Sequence, residues 1–211
     1  MLRWIAGQVS DGHNTVETGL GVSTAVFALA GSNHTCLTRD DAEIDHFKDY
    51  ARRAALNLDR IRFLAGASED VLPGLDLAPI DVAVIDGGHG FPTPFLDWHF
   101  LAQRLKPGGV VIIDDMQLWP SYILAQFLSS QPGWSRLAVD FSNKTRGFVL
   151  EEAFSVTDWY DQPYVKKMSR PLVRRFLVKE ALRLGAQGRF RELLLGLRDI
   201  LRKEDTSAAR L

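Results

Sequence analysis

The chain has one cysteine, Cys36, in 211 residues. No disulfide can form within it, and such usage fits a reducing cytosol. No apolar run approaches the roughly 20 residues that a membrane-spanning helix needs. Met1 to Gly12 holds no apolar core followed by a cleavage site, so no signal peptide is expected there. Neither charge is in excess: 25 Lys and Arg face 26 Asp and Glu. The molecule as a whole therefore lacks the field that would draw it to nucleic acid. There is no internal repeat and no low-complexity tract. What remains is a globular chain, 46% apolar with five Trp, long enough for one domain and an appendage.

Its charge is unevenly distributed. Residues 1–164 carry 12 basic and 21 acidic residues, whereas residues 165–203 carry 12 basic and 3 acidic. A basic segment follows an acidic body. We expect a domain over residues 1–155, followed by a linker and a basic helical extension over residues 156–211.

Strand and helix signals alternate through the body. Strands are expected at Thr15–Thr18, His34–Thr38, Ile61–Ala65, Asp81–Ile85 and Val110–Ile113. Helices are expected at Ser23–Ala30, from Asp40 or Asp41 to Leu56, from Ser68 to Pro73-Gly74, at Thr93–Leu105 and at Ser121–Leu128. Arg136–Phe141 and Arg146–Glu151 read as a closing hairpin around a Ser-Asn-Lys-Thr turn. This order implies an α/β fold with a doubly wound, mostly parallel sheet of seven strands, Rossmann-like, closed by an antiparallel hairpin. Pro163–Pro171 reads as a linker. Leu172–Leu184 and Phe190–Leu201 read as C-terminal amphipathic helices.

Three strands end in glycine or carboxylate. In an open parallel sheet, ligands bind at the carboxyl ends of the strands, so these tips describe one site. The first is Glu17-Thr-Gly19-Leu-Gly21-Val-Ser23, a sharp turn into a helix. A ligand can approach such a backbone closely, and Ser23 can cap the helix. The third glycine of the dinucleotide fingerprint is replaced by Thr24. A tight turn without ligand is the alternative. A nucleoside also wants an acid after the second strand. Thr38 stands at that place and Asp40 follows, either to reach a ribose or to cap the next helix. Ala67, Ser68 and Glu69 follow the third strand, where an adenine would lie; a capping box around Ser68 competes with that reading.

Asp86 ends the fourth strand, and Asp114 and Asp115 end the fifth. Neighbouring strands lie about 4.8 Å apart, so three carboxylates converge. Unpaired, they would repel, and each would suffer a raised pKa. A divalent cation with oxygen ligands, Mg²⁺ above all, resolves this. The alternative is one helix cap and one solvated Asp. His89 follows on the loop after Asp86. Histidine titrates near neutrality and suits proton abstraction from a hydroxyl, although it could equally be a ligand or a loop donor. Phe91, Phe95 and Trp98 are either the wall of an acceptor pocket or core. His13, His34, His46 and His99 are expected to be structural.

With these residues in place, the chain resembles class I S-adenosylmethionine-dependent methyltransferases, in particular the small cation-dependent O-methyltransferases. The resemblance spans about Asn14 to Glu151. Glu17-Thr-Gly-Leu-Gly-Val-Ser23 is similar to the family's first motif, whose glycines contact the methionine part of the cofactor and whose acid reaches its amino group. Asp86 matches the first metal ligand, and Asp114-Asp115 the acidic pair after the fifth strand. Leu105-Lys-Pro-Gly-Gly-Val-Val-Ile-Ile-Asp-Asp115 is the most specific stretch. There are three departures. Thr38 replaces the ribose acid. His89 stands where catechol-type enzymes place a lysine base. Few residues precede the first strand, where relatives carry covering helices.

The resemblance implies S-adenosylmethionine and Mg²⁺ or another divalent cation as cofactors. It implies Glu17, Gly19, Gly21, Ser23, Thr38, Asp40, Ala67, Ser68, Glu69 and Asp86 around the first, and Asp86, Asp114 and Asp115 on the second. His89 would be the base toward a small diol, sugar or phenolic acceptor. The Asn/Asp-Pro-Pro-Tyr signature of nucleobase-amine methylation is absent, which disfavours nucleic acid as substrate. The basic tail is expected to dock on an acidic body, its own or a second subunit's, in preference to a membrane. Cofactor binding without turnover, and nicotinamide-dependent oxidoreduction, are the competing functions.

Overall fold

The computed structural model describes residues 1–139, 141–189, 191–192 and 194–195. Residues 1–156 form one compact unit, and a second begins at Thr157.

Among its described residues the first unit contains seven strands: β1 (Asn14–Thr18), β2 (Asn33–Thr38), β3 (Ile61–Ala65), β4 (Ile80–Ile85), β5 (Leu105–Ile113), β6 (Trp134–Arg136) and β7 (Arg146–Leu150). They form one sheet in the order β3-β2-β1-β4-β5-β7-β6. The first five in that order are parallel, and β7 runs antiparallel between β5 and β6. The doubly wound sheet with its antiparallel closure is thus as expected. The strand order reverses between β1 and β4, which is where such sheets open a crevice.

Alternation along the strands divides the core. Ala83, Ile85, Val111 and Ile113 face one hydrophobic layer with Leu101, Leu124 and Phe148. Val82, Val84, Val110 and Ile112 face the other, with Ile5 and Phe27. Both faces are covered, which explains why β4 and the end of β5 are apolar at nearly every position.

The helices of this unit are α1 (Leu2–Gln8), α2 (Val22–Ala30), α3 (Asp41–Arg53), α4 (Ser68–Val71), α5 (Thr93–Ala102) and α6 (Trp119–Leu128). Several differ from expectation. Helix α1 was not anticipated; seven residues with little periodicity are held by burial of Ile5 against the sheet face beside Phe27. Helix α3 stops at Arg53, because Ala55 enters the left-handed region at φ 50°. Helix α5 stops at Ala102, and Lys106-Pro107-Gly108-Gly109, read as a loop, belongs to β5. The β4–β5 register shifts between Ile80 and Val82, and such an irregularity tolerates proline and glycine within a strand. Strand β6 covers Trp134–Arg136 rather than Arg136–Phe141.

In the second unit, Pro163–Pro171 is not a linker but the first part of α7 (Pro163–Ala186). Pro163 occupies the first helical turn, where its missing N–H costs nothing, and Lys, Arg and Met are good helix formers. Apolar and basic residues intermingle around α7 instead of forming two faces; Met168, Leu172, Phe176 and Leu182 are all exposed. The expected helix Phe190–Leu201 lies largely outside the described residues. Among the described residues, no helix is long and apolar enough to cross a membrane.

Candidate cofactor and metal site

The parallel ladders run one residue past the strands, and this aligns their carboxyl ends. The Gly19 N–H donates to Leu37 O (2.7 Å), Asp86 N–H to Thr18 O (2.9 Å), Gly66 N–H to Thr38 O (2.8 Å) and Asp114 N–H to Ile85 O (3.0 Å). The turns after β1, β2, β3, β4 and β5 are therefore stitched into one rim. Gly19 has φ +105°, and a Cβ there would lie 2.9 Å from the Asp86 carbonyl carbon. Only glycine lets the turn after β1 cross the turn after β4 this closely.

Gly21 is the N-cap of α2, and its N–H donates to Thr24 Oγ1 at 3.1 Å. Ser23, expected to cap, instead lies buried in the first turn. Thr24, at the third-glycine position, is fully buried and donates its hydroxyl to Glu17. Glu17 is buried and faces a polar network below the turn. His34 Nε2 lies 3.2 Å from Glu17 Oε1 without hydrogen-bond alignment. His34 Nδ1 meets Thr15 Oγ1 at 2.8 Å, and its ring stacks on Phe27. The Cys36 thiol donates to Gly19 O at 3.1 Å, and burial pushes its pKa up. Cys36 is thus a buried, protonated anchor for the glycine turn.

On the nucleoside side, Thr38 donates its hydroxyl to Glu43. Glu43 lies five residues past the strand, and the sequence reading missed it. The Asp40 carboxylate accepts from Ala42 N at 2.8 Å, so it caps α3. Ala67 is the N-cap of α4, and Ser68 is its first residue rather than a capping side chain. Arg39 Nη2 lies 2.7 Å from Glu69 Oε1, and a Cβ on Gly88 would lie 3.4 Å from the same Arg39 nitrogen. Arg39 thus reaches from the end of β2 to both the turn after β3 and the loop after β4. The Glu69 carboxyl is held below its ordinary range by its own backbone amide and by Arg39.

The carboxylates of Asp86, Asp114 and Asp115 converge at the ends of β4 and β5. Ligand atoms of Asp86, His89 and Asp115 all lie within 4.8 Å of one another. His89 Nε2 is 3.1 Å from Asp115 Oδ2, and Asp115 Oδ1 accepts from Gln117 at 2.6 Å. Asp114 lies beside this trio, its charge acting on Asp86 and its Oδ1 accepting from Thr145 on the approach to β7 at 2.6 Å. Asp115 has φ 54°, a left-handed conformation uncommon outside glycine, and such strain concentrates at functional sites. Burial raises the Asp86 carboxyl to about 7, helped by the charges of Asp114, Asp115 and Glu17. Two carboxylates and an imidazole in this spacing suit a divalent cation, which would also relieve their repulsion. A second trio, Glu17, His34 and Cys36, is equally compact, but its atoms serve the glycine turn.

Trp98 is core, packed edge-on against Phe127 and Phe154. Phe91 is 70% exposed and sits beside Trp119, with ring centroids 6.3 Å apart. The sequence reading also missed Asp97, a carboxylate on α5 with no exposure at all. Its signal was available: it is the only charged residue in the apolar stretch Thr93–Leu101 apart from His99.

A glycine turn after β1, a strand order that reverses beside it, and acidic tips on β4 and β5 coincide with a family match over residues 16–116, the methyltransferase domain family. Residues 16–116 resemble a methyltransferase domain. The solved structures agree in fold. The domain superposes on cofactor-bound Rv0187 from MTB with TM-score 0.60 at 17% identity, over 72% of this chain and 78% of that one. The O-methyltransferase NovP matches with TM-score 0.60 at 16% identity, over 72% and 79%. A Staphylococcus aureus protein proposed to be a caffeoyl-CoA O-methyltransferase matches with TM-score 0.59 at 16% identity, over 71% and 82%. No curated protein matches the chain by sequence. The first unit shares the Rossmann-like fold of these structures, and these identities establish the fold alone.

Proposed function

We propose that the protein is a divalent-cation-dependent O-methyltransferase acting on a small diol, sugar or phenolic acceptor. The observation that carries this reading is the convergence of Asp86, His89 and Asp115 at the carboxyl ends of β4 and β5, beside the glycine turn. S-adenosylmethionine supplies the electrophilic methyl group, and Mg²⁺ or a similar cation supplies Lewis acidity toward the acceptor oxygen. The Gly19–Gly21 backbone would seat the methionyl end of the cofactor. Thr38, through Glu43, would restore an acidic partner for the ribose, and Ala67 to Glu69 would border the adenine.

Asp86 and Asp115 would hold the cation, with Asp114 fixed by Thr145 as a neighbouring acid. His89 would accept the acceptor's hydroxyl proton at Nε2. Its 3.1 Å approach to Asp115 supports a second reading, in which His89 is itself a ligand. Positioning and electrostatics carry the chemistry in both versions.

The acidic body supports a small-molecule acceptor in preference to nucleic acid. The basic α7 supports self-association through the C-terminal segment. A single buried thiol supports a cytoplasmic setting. Calorimetry with S-adenosylhomocysteine, followed by turnover of a catechol and sugar-diol panel with Mg²⁺ or with EDTA, tests the proposal. Cofactor binding with no turnover of any acceptor would favour a non-catalytic binder, and undiminished turnover in EDTA would remove the cation.

A further inference from the structure

Asp97 is wholly buried on α5, and neither carboxylate oxygen meets a partner with hydrogen-bond geometry. Thr18 Oγ1, 1% exposed, is likewise unpartnered. The hydroxyls of Thr18 and Ser68 nevertheless face the carboxyl closely enough to counter part of the rise that burial causes, leaving it near 6. Arg39 and Glu69, paired with each other, are the charges that act on it.

This arrangement opposes folding. A buried carboxyl without aligned partners is costly, and an apolar side chain of similar volume would serve the core better. Its neighbours suggest why it is there. Thr18 directly precedes the Gly19 turn, and its carbonyl holds Asp86 N–H. Ser68 opens α4 on the adenine side. Thr93, four residues before Asp97 on α5, packs under Gly88. One buried group therefore adjoins the turns after β1 and β3, and its helix packs under the loop after β4.

We infer that Asp97 is a positioning residue for the cofactor, setting Thr18 and Ser68 so that the glycine turn and the loop after β3 present their backbones to it. The inference rests on reading the crevice as the seat of S-adenosylmethionine. In its protonated form Asp97 can donate to one hydroxyl and accept from the other, which asparagine can also do and leucine cannot.

The test compares the full-length protein with Asp97→Asn, Asp97→Leu and Ser68→Ala, by thermal melting, by calorimetry with S-adenosylhomocysteine and by Mg²⁺ titration. Asp97→Leu should melt no lower than the parent yet bind S-adenosylhomocysteine about tenfold more weakly, a misplacement effect. Asp97→Asn should stay within about threefold, because its amide keeps both hydrogen-bonding roles. Ser68→Ala should weaken binding in the same direction, and Mg²⁺ affinity should not move. Native affinity in Asp97→Leu would overturn the inference. So would equal losses in the Asn and Leu variants, or a lowered melting point with affinity unchanged, because these describe packing alone. If Asp97→Leu does not fold, native affinity in Ser68→Ala overturns it instead. Absence of binding in the parent protein would be a different result, striking the cofactor assignment itself.

Discussion

Asp86 makes the cation-free protein sensitive to pH in an unusual sense. Its carboxyl titrates near 7 in the folded protein, against an ordinary 3.8. Between those values the folded protein keeps a proton that the unfolded chain releases. The associated stability is complete below the ordinary value and is lost as pH rises through about 7. Three pH units at about 1.4 kcal/mol each set a ceiling of about 4 kcal/mol. The site is partly exposed, and solvent screening reduces this to about 2 kcal/mol.

Asp86→Asn carries no charge at any pH and should escape the loss. In urea unfolding with EDTA, the variant should gain on the parent by about 2 kcal/mol between pH 4.5 and pH 8. Asp97, raised to about 6, contributes in the same direction but is present in both proteins and largely cancels. Saturating Mg²⁺ at pH 8 should reverse the ranking, because only the parent binds it. A variant less stable than the parent at pH 8 in EDTA, or a gap independent of pH, would refute the argument from desolvation and like charge.

Gly19→Ala should destabilise the fold by about 2 kcal/mol or more, since φ +105° and the neighbouring Asp86 carbonyl both oppose a Cβ; urea unfolding and cofactor calorimetry measure it. His89→Ala should lower turnover about 100-fold or more and leave S-adenosylhomocysteine affinity within about threefold. Mg²⁺ titration of that variant separates base from ligand, as only a ligand's loss weakens cation binding. Thr145→Val should leave Asp114 without its 2.6 Å partner and cost about 1–3 kcal/mol in stability, read by thermal melting.

The fold was legible because β4 and β5 are apolar at successive positions and glycines punctuate their ends. Asp86, Asp114 and Asp115 could be gathered at neighbouring strand ends from strand adjacency, with His89 on the loop after the first. Part of what escaped depended on contacts distant in sequence, and part on local backbone geometry. Seven residues of α1 carry too little pattern to announce a helix, and only the sheet face beneath Ile5 holds them. Pro171 within α7 defeats a rule that reads proline as a break. Thr38 read as a missing acid because Glu43 returns to it only once α3 has turned. The separate fates of Asp114 and Asp115 follow from a left-handed backbone at the second and from Thr145 beside the first.

The tie between Asp114 and Thr145 has an outcome for biosynthesis. Thr145 immediately precedes β7, the antiparallel strand inserted between β5 and β6. A nascent chain still short of that strand can align its parallel strands yet lacks the anchor on one acidic tip. Asp114 should therefore be fixed late on the ribosome, after the glycine bend that follows β1 already exists.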